Sequence, residues 1–114
     1  QNYVYSGSND ADEVAWDTSN SGSDTHEVGT KNSNGLGLYD MSGNVFEWCN
    51  DWYDNGYYSN GAVNNPQGPN IGTNRVLRGG SWINSSYYSH ISYRGNNVPS
   101  SSLLDYGFRC ARDF

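Results

Sequence analysis

A loop-rich α+β domain with short strands is the fold class this chain predicts, and three observations predict it. Aliphatic residues are scarce, whereas 10 Tyr and 4 Trp supply much of the buriable surface, each of those rings carrying a polar atom that needs a partner. Gly, Ser and Asn together fill 46 of the 114 positions, a composition of turns rather than of helical bundles. Near the end, "RVLRGGSW" and "GFRCAR" read as two short strands, with Val76 and Phe108 as inward residues and Arg at alternate positions.

The elements follow in order. Residues 1–34 are polar and acidic, with a short helical turn expected at Asp10 to Trp16 and irregular chain elsewhere. Residues 35–54, "GLGLYDMSGNVFEWCNDWYD", form the densest aromatic block, and "SGN" at its centre reads as a turn. Residues 55–74 are rich in Asn-Gly, Pro and Gly and read as a surface loop. No repeat is visible, and no apolar run approaches the 18 or more residues of a membrane span.

Charge is split between the halves. Residues 1–54 carry ten acidic groups against Lys31, and residues 55–114 carry five Arg against two Asp. A net charge of −6 argues against non-specific nucleic-acid binding. Five Arg without a single Lys in the second half suggest planar, bidentate braces to carboxylates and carbonyls. Cys49 and Cys110 are compatible with one disulfide, with two buried thiols or with partners outside the chain. No secretory signal is visible, and a start at Gln1 without Met suggests a processed or truncated N-terminus.

The ordered blocks "GLYDMSGNVFEWCNDWY", "RVLRGGSW", "SYRGNN.P" and "GFRCAR" are together specific. They resemble the formylglycine-generating enzyme (sulfatase-modifying factor) family, over about Tyr5 to Arg112. The resemblance implies a C-type-lectin-like fold with short antiparallel strands, of which this chain would be the C-terminal part. Oxidising members of that family hold copper(I) on two cysteines after Gly-Gly-Ser, since soft thiolates suit that metal. The matching positions here are Asn84 and Tyr88 or Ser89, so no copper and no formylglycine-forming catalysis are expected. His26 and His90 are the only histidines, and no Ser-His-acid set stands out.

Residues 83–106 hold seven Ser, four Tyr and three Asn, the palette of binding loops. Across these 24 positions Glu, Lys, Gln, Met and Trp are absent, although they fill 11 of the other 90. Those five are the amino acids that no codon ending in C encodes. The segment therefore resembles the variable region of proteins diversified by retroelements, in which Asn AAC codons become any NNC codon. That resemblance implies a non-catalytic display protein binding a variable protein or surface ligand. Its expected setting is the cell surface or the extracellular space, as a monomer, with no membrane contact by this segment.

A site that tolerates many sequences must be held by residues outside the variable set. Trp82, Tyr93, Arg94, Phe108 and Arg109 are the scaffold candidates. The ligand-facing candidates are Ile83, Tyr87, Tyr88, Ser89, His90, Ser92, Asn97, Val98, Leu103, Leu104, Asp105 and Tyr106. The family resemblance also implies a structural Ca²⁺ held by the side chains of Asp40 and Glu47 and the carbonyls of Gly43 and Val45. Such hard oxygen donors are what Ca²⁺ requires. A second calcium site has no counterpart in residues 18–28.

Overall fold

A computed structural model of the chain describes residues 2–61 and 64–112. The expected helical turn is α1, Ala11–Val14. Asp10 caps it from extended backbone, its carboxylate accepting from Asp12 N at 3.0 Å, and Asp12 and Glu13 fill the first turn. Acidic groups there satisfy free N–H groups and face the positive end of the turn. The helix ends after one turn. Val14 and Ala15, 3% and 0% exposed, fix it to the core.

Four strands make one mixed sheet in the order β3-β2-β1-β4: β1 Phe46–Trp52, β2 Arg75–Arg78, β3 Gly95–Asn97 and β4 Tyr106–Gly107. β1 and β2 pair antiparallel, with Glu47 opposite Arg78 and a register shift between Trp48 and Trp52. β2 and β3 are also antiparallel, but β1 and β4 run parallel, so the expected all-antiparallel arrangement fails at this edge. The aromatic block supplies the longest strand, which its turn-centred reading did not anticipate. Short 3-10 turns occupy Tyr57–Asn60 and Ser86–Ser89.

Val76 points inward as expected, at 1% exposed, but its neighbour Leu77 is also buried, at 2%. β2 is an inner strand covered on both faces, and a strand so placed loses the alternation of a half-buried one. Phe108 does not point inward. Strand β4 ends at Gly107, and the Phe108 side chain lies 75% exposed. Few aliphatic residues are buried, so rings complete the core. Phe46 packs against Tyr93 and Tyr106 at centroid distances of 6.4 and 6.1 Å, and Trp48 meets Tyr106 edge-on at 5.5 Å. Among the described residues, no helix is long and apolar enough to cross a membrane.

Candidate binding face and its cradle

The segment from Ser81 to Tyr93 is held through its main chain. Asn44 O accepts from Trp82 N at 2.8 Å, and Ser21 Oγ donates to Trp82 O at 2.9 Å. Thr18 N donates to Asn84 O, Ser42 Oγ donates to Ser89 O, and Ile91 N donates to Val4 O, all within 3.0 Å. Arg78 Nη1 donates to the carbonyls of Ile91 and Tyr93, at 2.9 and 3.0 Å. The acidic segment, read from sequence as mostly irregular, thus forms half of a cradle. Arg78 is one of the arginine braces the sequence suggested, whereas Ser21, Ser42 and Asn44 escaped notice because small polar side chains carry no signal of long-range pairing. Only the "SGN" turn hinted at Ser42 and Asn44.

Six of the twelve ligand-facing candidates are exposed. Ile83 is 51% exposed, Tyr87 60%, Leu103 52% and Leu104 72%. Ser92 and Val98 are exposed as well, and Tyr88, His90, Asn97 and Tyr106 are half-buried. Two candidates are inside. Ser89 is buried beneath Gly80, and Asp105 is buried with its Oδ2 2.9 Å from the Ser81 hydroxyl. A buried carboxylate held by a framework hydroxyl anchors a turn and does not face a ligand.

Tyrosines dominate the face. Tyr88 and Tyr93 meet edge-on at 5.0 Å, Tyr87 touches Tyr88, Tyr93 and His90, and His90 abuts Tyr5. Burial pushes the Tyr93 phenol above its ordinary pKa, and the surrounding phenols of Tyr88, Tyr87, Tyr53 and Tyr106 add to the rise. The Tyr93 phenol is therefore neutral over the physiological range. Beside it, the Arg94 guanidinium lies 5.0 Å from the ring centres of both Tyr53 and Tyr58, a cation-π clamp on the face's border. Trp82, half-buried, is fixed by both backbone groups, although its indole N–H meets no acceptor among the described residues.

Arg109 closes the far side of β1. Its Nε and Nη2 reach the two Glu47 oxygens at 2.7 and 2.6 Å, and Nη2 also reaches the carbonyls of Tyr39 and Asp40 at 3.1 Å. Hydrogen bonding to Glu47 holds the guanidinium pKa above its usual value. The expected Ca²⁺ would have to compete with these bonds. Both oxygens of Glu47 are engaged by a cation, and Asp40 spends Oδ2 on Gly29 N at 2.8 Å. Among the described residues no three His, Cys, Asp or Glu converge on a metal position. We expect Ca²⁺ at about 1 mM, the weak end of protein calcium sites, to leave the melting temperature unchanged. A clear rise would mean that the ion had displaced Arg109.

His26 stacks flat on Trp16 at 3.6 Å, and the Lys31 ammonium lies 4.0 Å from the Trp16 ring centre, which is packing chemistry. Cys49, half-buried, and Cys110, exposed, are both free thiols.

A small curled sheet, few helices and a long loop cradled by its own framework define a C-type-lectin-like domain of the formylglycine-enzyme type. Residues 1–114 match the sulfatase-modifying factor enzyme 1-like domain, and the chain belongs to that family. It is 42% identical over 92 residues to the formylglycine-generating enzyme of Streptomyces coelicolor, covering 78% of this chain and 29% of that one. It is 46% identical over 93 residues to the serine/threonine-protein kinase Pkn1 of Chlamydia trachomatis, covering 80% and 15%. Among solved structures, Treponema denticola variable protein 1 superposes with a TM-score of 0.81 at 40% identity, over 95% of this chain and 40% of that chain. The chain thus spans less than half the length of these relatives.

Proposed function

We propose that this chain is a non-catalytic display module, diversified by a retroelement, that binds a variable protein or surface ligand through the exposed residues of 83–106. The observation that carries the reading is the cradle. Framework residues hold Trp82, Asn84, Ser89, Ile91 and Tyr93 by backbone groups, so those contacts survive when outward side chains change. Tyr and Ser on such a loop give large contact area at low entropic cost. The likeness to a variable protein of known structure supports the same reading.

The rival is an enzyme or degenerate enzyme, favoured by the identity to a formylglycine-generating enzyme. Asn84, Tyr88 and Ser89 offer no thiolate at the positions where that family holds copper. We further propose that the chain is the C-terminal part of one longer family domain on a cell surface or outside the cell, acting as a monomer without nucleic acid. In support, an apolar groove lined by Val28, Leu38, Tyr39 and Phe108 stands open, and it suits the remaining part of such a domain.

Copper binding and oxidation of a substrate thiol are the direct test. Neither should be detected, and turnover would sink the display reading. Sequencing around the gene supplies the independent check, with a reverse transcriptase and a second copy of the segment differing only at adenines as the expected result.

A further inference from the structure

We infer that the cavity beside Arg78 is a subsite for a small organic carboxylate with an apolar body. The cavity has a volume of about 410 Å³ and is walled by Trp48, Met41 and Ile91, with the Cys49 thiol in its lining. That size falls in the usual range of small-ligand sites, apolar walls with a few fixed polar groups. Its charge is unbalanced. Arg78, Arg109 and Glu47 all line it, and Glu47 is spent on Arg109 through both oxygens.

Arg78 is the group left over. It stands directly across the sheet from Glu47, where an ion pair between the two would be expected, yet Arg109 takes that carboxylate. Arg78 makes no ion pair among the described residues. Its Nη1 binds two carbonyls, and its Nε and Nη2 have no hydrogen-bond partner there. A half-buried guanidinium with a free N–H edge, beside apolar walls, is matched by a carboxylate with a hydrocarbon tail. Two carbonyl bonds to Nη1 keep that edge in place, so the ligand would meet a preorganised donor. Arg78, Met41 and Cys49 lie outside 83–106, while His90 and Ile91 of the lining lie within it, and the inference does not require that the tyrosine face bind a partner.

Phenylacetate is the probe, and phenylacetamide, of the same shape without charge, is its control. Cys49 reports occupancy through its alkylation by iodoacetamide, and exposed Cys110 serves as the internal reference. Burial pushes the Cys49 thiol above its ordinary pKa despite nearby Arg78, so the unprotected reaction is slow enough to follow. Saturating phenylacetate should slow alkylation of Cys49 about tenfold and leave Cys110 unchanged, while the amide gives less than about twofold protection.

Arg78→Gln should abolish the protection. If that variant does not fold, Ile91→Glu, which sets a carboxylate at the exposed mouth of the cavity, should compete for Arg78 and abolish it too. Equal protection by acid and amide would overturn the inference. So would protection by neither, or protection that survives in a folded variant.

Discussion

Gly43→Ala is expected to remove a large part of the protein's stability. Gly43 adopts φ +78°, the left-handed region that an L side chain rarely enters. A β-carbon there would lie 2.5 Å from Trp16 N, 2.6 Å from Trp16 O and 3.0 Å from Ala15 Cα, all backbone atoms that cannot swing aside. The position is also a hydrogen-bond crossing. Gly43 N donates to Gly79 O at 2.6 Å and Asn44 N donates to Trp16 O at 2.8 Å, joining the acidic segment to the turn before β1 and to the end of β2. Pushing them apart breaks the cradle at its root. A cost on the order of 4 kcal/mol is expected, a large part of the 5–15 kcal/mol available to a domain of this size. Gly37→Ala provides the comparison. It shares the positive φ, at +75°, but no atom of the other described residues lies within 4 Å of the added carbon beyond its chain neighbours, so only about 1 kcal/mol is expected. Urea unfolding of both variants measures the difference, and equal losses would show that backbone strain alone, not the close approach to Trp16, sets the requirement for glycine.

The sequence showed some of these features because they are local. Asp10 before an Ala-Asp-Glu-Val run is a helix start whatever follows, and the ring-dependent core is visible in composition. The ordered blocks from "GLYDMSGNVFEW" to "GFRCAR" revealed the family, since no single turn or strand rule produces that series. What escaped was set by distant partners. Phe108 looks inward by alternation, but a two-residue strand ending at Gly107 cannot carry a pattern forward. Arg109, more than sixty positions away, bonds to the Glu47 carboxylate and the Asp40 carbonyl, a pairing no local pattern announces. Asp105 resembles a polar loop residue, and only the fold brings it to Ser81. The support that residues 4–21 give to 82–91 runs through main-chain groups at Val4 and Thr18 and the Ser21 hydroxyl, and neither a backbone group nor a lone serine announces its partner in the sequence.

Ser89 shows how much the distinction between outward and inward positions matters, and Ser89→Tyr is expected to be nearly as damaging as Gly43→Ala. Ser89 is 1% exposed, and its carbonyl takes the Ser42 hydroxyl at 3.0 Å. Gly80, at φ +72°, runs so close that a β-carbon on it would sit 2.4 Å from Ser89 Oγ and 2.8 Å from Ser89 N. The space is full. A phenol ring could be admitted only by moving the Gly79–Gly80 backbone, at a cost of about 3 kcal/mol. The Ser89 hydroxyl itself has no hydrogen-bond partner among the described residues, so the position demands small size rather than polarity. Ser89→Ala should therefore be neutral or slightly stabilising, since it removes an unsatisfied buried oxygen. Tyr87→Ser, two positions earlier and 60% exposed, should shift stability by less than about 1 kcal/mol. A display selection for folded protein over randomised NNC codons would read all of this at once. Positions 83, 87, 103 and 104 should accept nearly every residue type, and position 89 only the smallest. If position 89 accepted Tyr or Phe as freely as position 87, the buried placement of Ser89 would be wrong, and the variable face would extend across the whole 3-10 turn.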